Sequence, residues 1–440
     1  MVAPDRAISL GSRLGFIFAS LLYKSALDIT YYFYLSRFFR YHNLTAFDLH
    51  LDAGRFFLSY LLVFAMSAVV PRKENNFNGM FYAIVLIFLY VPLATMYGMD
   101  ARSDVFPLAL TAFAIVVTML TAISFERVWR KFPLLERGRS IALLFSTLMV
   151  AYFILWSIIS GAVTHINFDF RDIYIYREIL GEKLDVGFLS YLNIWTQKAF
   201  NPLLIAYAMY KRNGILLAIS LLVQMYFFAV TQHRAHLFVP ILIYMAYIIY
   251  QRRLSTGKLL GAAAAGVVLI TTIGLYFEMD EALAVVIRRA LFVAPTVAYE
   301  WVAYFSEREK VHFADNILRG WINNEYTGKN LPLFMGDYMQ FGSDLAFNSG
   351  LIGAGFAQLG IWGVIIYASL LGIVLSFLNA LITKGLPVFM VAALLIAPIR
   401  TAWADSDLFT ALLSHGIIVC VVLLWLFGPD RRQERINEMG

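Results

Sequence analysis

The chain has 440 residues, 60% of them hydrophobic and 16% aromatic, with a mean hydropathy of +0.71. Soluble domains are typically about 45–50% apolar, so this excess excludes a single aqueous globule and points to a membrane protein. The net charge of +6 lies in short Lys and Arg clusters between apolar runs, a pattern that fits topology setting and anionic lipid rather than nucleic acid.

Runs approaching the roughly 18–20 apolar residues that cross a bilayer as a helix recur throughout. The sequence predicts an all-α polytopic membrane protein, a single integral domain over 1–440. About twelve transmembrane helices are expected, near 11–34, 55–70, 79–97, 105–123, 140–161, 199–210, 214–230, 236–250, 258–277, 353–379, 384–399 and 408–428. The first run carries Lys24 and Asp28, which share a helix face four residues apart. Ionisable groups at membrane depth either close on one another or serve a pathway. This run lacks a small-residue cleavage site and is not read as a removable signal. The lone cysteine, Cys420, sits in an apolar run, so neither an intrachain disulfide nor a thiolate metal site is expected.

With both termini cytoplasmic, every inner connection is basic: Arg72 and Lys73; Arg127, Arg130, Lys131, Arg137 and Arg139; Lys211 and Arg212; Arg252, Arg253 and Lys258; Lys384; and Arg431, Arg432 and Arg435. That alternation satisfies the positive-inside rule. It puts two large loops outside, 162–198 and 278–352, the second partly helical. Within the second, 281–305 reads as helices on or dipping into the membrane interface, divided at Pro295.

The outer connections hold the polar chemistry. In "TQHRAHLF" (231–238), Arg234 lies between His233 and His236. A guanidinium there either snorkels to headgroups or grips phosphate oxygens through its planar fork. The two histidines alone make a weak metal site, lacking a third ligand. Arg171, Arg177, Arg288, Arg289, Arg308, Arg319 and Arg400 add outward guanidiniums suited to a phosphate-bearing ligand. Adjacent Arg288 and Arg289 diverge by about 100° on a helix, so one should face the protein and the other the headgroups. His312 is the candidate general base, with Asp315 placed to orient it. "ADSD" (404–407) reads as a helix cap rather than a metal site. The glycines of "NSGLIGAGFAQLGIWG" (348–363) lack a following GK[ST], so they are read as points of close helix approach rather than a nucleotide loop.

Three stretches resemble the bacterial O-antigen, or polysaccharide repeat-unit, polymerases (Wzy-type). "VQMYFFAVTQHRAHLFVPILIYMAYIIYQRR" (223–253) is similar to their pair of helices around a lone arginine. "FNSGLIGAGFAQLGIWGVIIYASLLGIV" (347–374) is similar to their segment after the large outer loop, where Asn348 precedes a glycine-bearing helix. "IYIYREILG" (173–181) is similar to a Tyr-and-Arg stretch of the other loop, although Arg171 to Gly181 and Arg177 to Gly187 each enclose nine residues where the family pattern has ten. The resemblance implies a glycosyltransferase of the bacterial inner membrane. It would move a glycan from undecaprenyl pyrophosphate to a hydroxyl of another lipid-linked repeat, without cofactor or metal, with membrane lipid and a chain-length regulator protein as partners.

On that reading Arg234 and Arg289 meet the pyrophosphate, His312 takes the proton, and Arg319 and Arg400 assist. Arg171, Tyr174, Tyr176, Arg177, His233 and Asn348 hold sugar or phosphate. Two alternatives stay open: the related O-antigen ligase, and a flippase or exporter of lipid-linked oligosaccharide, for which paired inverted repeats would be expected.

Overall fold

The computed structural model describes residues 10–39, 47–70, 77–100, 104–166, 180, 183–184, 186–233, 235–340 and 345–429. Each apolar run forms helix, and no strand occurs among the described residues. In chain order the helices are α1 (10–38), α2 (Ala53–Val69), α3 (Asn78–Met99), α4 (Val105–Trp129), α5 (Gly138–Ile159), α6 (188–211), α7 (Gly214–Thr231) and α8 (Ala235–Gln251). They continue with α9 (Thr256–Tyr276), α10 (280–306), α11 (Leu331–Gln340), α12 (Leu351–Leu359), α13 (Ile361–Thr383), α14 (Val388–Ala404), α15 (Leu408–Leu413) and α16 (Ile417–Phe427).

Several starts are capped by side chains accepting orphan amides: Asp52 for α2, Asp104 for α4, Asn213 for α7, Ser255 for α9 and Asp407 for α15. Seven segments are long and apolar enough to span a membrane: α3, α4, α5, α7, α9, α13 and 408–427. α2, the 236–251 stretch of α8, and α14 are apolar but shorter. The protein is therefore a helical membrane protein. α3 is buried along almost its whole length and forms the axis of the bundle. Phe18, Phe57, Leu61, Leu144, Ile215 and Leu222 point outward, where hydrocarbon rather than water accommodates them.

Three helices contain a wide, π-type segment just before a proline. Leu86–Tyr90 precedes Pro92, Thr196–Phe200 precedes Pro202, and Ala284–Phe292 precedes Pro295. Proline has no N–H and crowds the carbonyl four residues back. Those carbonyls, of Phe88, Lys198 and Leu291, all fall inside the wide segments, where bonding one residue further along relieves the clash.

The structure departs from the sequence reading at four places. The expected 199–210 span begins at Phe188. The expected 353–379 span is two helices, because Gly360 takes φ +61° and turns α12 back against α13. The expected 408–428 span is interrupted between Leu413 and Ile417. Finally, α10 divides in character. Its Val293–Ser306 half is buried, with Tyr299 donating to the Leu93 carbonyl of α3 at 3.2 Å, so the apolar composition there answers to protein packing, while the half before it keeps Val285, Val286 and Arg289 exposed. Pro295 does not divide the helix, which continues from the wide segment into Val293–Ser306, whereas the glycines of 348–363 do permit close approach: a Cβ on Gly363 would clash with the Gly355 carbonyl oxygen.

Contacts sort the connections into two ends. At one, Arg139 donates to the carbonyls of Phe427, Gly428 and Pro429, Trp425 to that of Pro133 at 2.9 Å, and Lys384 to that of Phe132. At the other, Tyr34 donates to the Asp280 carbonyl, Trp301 to Phe347, and the Val311 amide to Ala357. The described parts of the long segment after α10, 307–340 and 345–350, belong to this second end.

Candidate functional site

The turn 404–408 joins α14 to α15 at the second end, and two charged groupings meet on it. Asp405 points toward Arg400, near the end of α14, and forms an ion pair with it. Arg289, from the wide segment of α10, also bears on the Asp405 carboxylate. Arg400 further donates to the Ala290 carbonyl at 3.4 Å and stacks its guanidinium 5.1 Å from the Phe88 ring centroid. Both Phe88 and Ala290 lie in wide segments, so those two proline-induced distortions frame Arg400.

Asp407, two residues on, faces the other way. One carboxylate oxygen caps α15 by accepting from the amides of Phe409 and Thr410; the other accepts from the Tyr367 hydroxyl at 2.5 Å. Asp407 is near enough to Asp315 for the two charges to repel. Gln358 of α12 donates to Asp315 at 3.2 Å and accepts from the Phe313 amide at 2.6 Å. Phe313, Tyr367 and Phe409 pack edge-on or tilted over this pair. Burial raises both carboxyls above the ordinary carboxylate range. For Asp315 the Gln358 bond opposes that rise and the Asp407 charge reinforces it; for Asp407 the bonds from Tyr367 and the backbone oppose it.

The segment supplying Asp315 is held under backbone strain. His312 and Phe313 adopt φ of +54° and +62°, a left-handed region costing non-glycine residues about 1–3 kcal/mol each. The amides of Val311, His312 and Phe313, bound to Ala357 and Gln358, fix them there. Beside them Lys310 donates to the carbonyls of Phe305 and Arg308 and lies 5.1 Å from the Phe356 ring, burial lowering its pKa.

The residues singled out in sequence distribute unevenly. Arg400 pairs with Asp405, whose carboxylate also feels the charge of exposed Arg289, and Asp407 caps a helix as read. Arg288 faces the protein, half-buried and 4.6 Å from the Phe39 ring, while Arg289 is exposed, which is the divergence expected. His312 and Asp315 do not form the expected couple: the Asp315 carboxylate takes Gln358 and Asn316 instead, because the left-handed turn at 312–313 separates their side chains. Arg319 is exposed and packs beside Gly328 in its own loop. Asn348 is exposed ahead of α12. His233 lies against His236, ring centroids 5.8 Å apart. Arg234, Arg171, Tyr174, Tyr176 and Arg177 lie outside the described residues, as do Arg72, Lys73 and the basic C-terminal residues.

Sequence reasoning missed Gln358 and Tyr367. A glutamine inside a glycine-rich apolar helix was the available signal for the first; nothing local marked the second. Among the described residues no three His, Cys, Asp or Glu side chains gather in a way that would hold a metal ion. Comparison with known proteins finds no matching family model, no similar curated protein and no similar solved structure.

Proposed function

We propose that this protein is a glycosyltransferase of the bacterial inner membrane that polymerises oligosaccharide repeats carried on undecaprenyl pyrophosphate. The observation carrying this reading is the 404–408 turn, where the guanidinium of Arg400 is fixed by Asp405, Arg289 lies near enough to act on the same carboxylate, and the half-buried carboxyls of Asp315 and Asp407 have raised pKa values. Glycan transfer from a lipid diphosphate needs both kinds of group. The departing diphosphate gains negative charge, which Arg289 and Arg400 are positioned to stabilise without reorganising. The attacking hydroxyl must lose a proton to a group whose pKa lies nearer neutrality than an ordinary carboxylate.

Asp315 takes that proton in this scheme, with Asp407 and Tyr367 holding the local charge; this replaces His312 as the base. The glycosyl carbon–oxygen bond to the diphosphate breaks as the bond to the acceptor oxygen forms, and the proton passes to the Asp315 carboxylate. Arg234 remains assigned to the diphosphate. The distribution of basic connections supports an exterior location for this chemistry: Arg127, Arg130, Lys131, Arg137, Arg139 and Lys384 belong to the opposite end, the cytoplasmic one by the positive-inside rule.

Deleting the gene and separating the surface polysaccharide on a gel tests the reaction class. One repeat on the lipid core is expected. Bare core with free polymer would replace the reading with a ligase, and lipid-linked units trapped inside would replace it with a flippase.

A further inference from the structure

The basic end of the bundle holds a cleft that the proposed reaction does not use. Its volume is about 500 Å³, and Tyr244, Tyr247, Ile248, Gln251, Arg252 and Leu254 line it. All belong to the closing turns of α8 and the reversal after it. The helix stops there because Arg253 adopts φ +51° and the Leu254 amide closes back on the Ile249 carbonyl at 2.9 Å. Tyr247 packs on Phe389 of α14, ring centroids 5.4 Å apart. Phe389 follows Lys384, which donates to the Phe132 carbonyl, so the cleft lies at the same end as Arg139.

The face of α8 that leads into the cleft changes polarity along its length. Phe238, Ile241, Met245, Ile248 and Arg252 recur in steps of three and four, so they share one side of the helix. Phe238, Ile241 and Met245 are exposed, with Tyr244 beside them. From Ile241 to Arg252 the helix rises by about 16 Å, and one leaflet of hydrocarbon is about 15 Å deep. The face therefore has the length and the order, apolar then polar, of one phospholipid standing in a single leaflet.

The surroundings select the charge of that lipid. No Asp or Glu occurs from 186 to 277, whereas Arg252, Arg253 and Lys258 gather at the reversal. Arg252 and Arg253 are exposed. α9 starts against α1: a Cβ on Gly257 would lie 3.3 Å from the Phe16 Cα, one turn from exposed Arg13. A guanidinium fork can take two phosphate oxygens, and Gln251 and the tyrosine hydroxyls add neutral donors. A choline headgroup would bring its own cation among these.

The geometry points to a binding site for one anionic phospholipid, its phosphate held by Arg252 and Gln251 and its acyl chain laid along Ile248, Met245 and Ile241, in the leaflet at the basic end of the bundle. The site rests on α8 and its closing turn and is independent of the proposed reaction.

The test titrates the full-length protein, delipidated in detergent, with dioleoylphosphatidylglycerol or dioleoylphosphatidylcholine and counts bound lipid by native mass spectrometry. One phosphatidylglycerol should bind about tenfold more tightly than phosphatidylcholine, the scale of a charge-assisted hydrogen bond. Arg252→Gln should remove most of that preference. Leu254→Trp, which fills the cleft and keeps every charge, should weaken phosphatidylglycerol by a similar factor. Arg127→Gln, an equal loss of charge at another exposed position of that end, should change nothing. Equal affinity for the two lipids would overturn the site, because no headgroup would be recognised. An equal loss in Arg127→Gln would overturn it in favour of diffuse charge. Undiminished binding by folded Arg252→Gln or Leu254→Trp would place the lipid elsewhere.

Discussion

Two charged groupings in this protein, one buried and one half-buried, have opposite character. In α1, Lys24 is wholly buried yet fully engaged: its ammonium meets both Asp28 oxygens at 2.6 and 2.8 Å, and Tyr60 donates to the same carboxylate at 2.8 Å. Tyr60 and Phe56 also present their rings to the ammonium at 4.5 and 5.3 Å. At the 404–408 turn the Asp407 charge instead adds to the burial that raises the Asp315 carboxyl, and the backbone leading to Asp315 is strained at His312 and Phe313. A closed ion pair has no capacity left for substrate and serves the fold. Carboxyls whose pKa values are raised sit closer to the range where a proton can be exchanged, and the proposed reaction uses them for that.

The comparison is broken most directly at α1. Lys24→Met leaves Asp28 buried without its counter-ion, and loss of one partner of a buried pair costs about 3–5 kcal/mol. A large fall in thermal stability in detergent is expected, largely recovered in Lys24→Met/Asp28→Leu. An unchanged melting temperature in the single variant would show that the pair contributes little.

At the other region the same kind of change should affect chemistry rather than stability. Asp315→Asn should reduce polymer formation in proteoliposomes about 100-fold or more, the scale of a lost general base, with melting temperature nearly kept. His312→Ala should retain polymer; its loss would return the base to the imidazole. Arg400→Lys keeps the charge and removes the planar fork, so a reduction of about 10–100-fold in turnover is expected, on the scale of weakened transition-state charge stabilisation.

A smaller effect concerns pH. The Asp315 carboxyl is raised by burial and by Asp407, so activity should climb with pH as that group ionises. Asp407→Asn removes the like charge, and the rising limb should move to lower pH. The sign for stability is the reverse. Groups raised in the folded state favour folding most at pH below their unfolded value of about 3.9, and that contribution disappears as pH rises through the raised values. Asp407→Asn should therefore flatten the loss of stability between those limits, measured by unfolding at several pH values.

Much of the architecture was legible beforehand. Apolar runs marked the helices because a bilayer requires continuous internal backbone bonding over a fixed thickness. Proline and glycine marked trouble spots, but not its form. Pro202 did not announce that Lys198 would sit in a widened turn, nor Gly360 that α12 would fold back to place Gln358 above Asp315. The loop arginines looked alike in sequence, yet Arg400 pairs with Asp405 and Arg289 acts on the same carboxylate, while Arg319 stays with Gly328.

Sequence by itself determined that the chain is a bundle of apolar helices with its basic connections segregated from its long ones. These properties depend on local hydropathy and charge, which act without reference to distant residues. Only the tertiary structure decided which polar groups meet. Lys198 and His415 are 217 positions apart, and Asp315 and Gln358 are 43 apart. Such encounters follow from how helices pack and where prolines and glycines bend them, because hydrogen bonds and charge repulsion act over a few ångströms of space, whatever the separation along the chain.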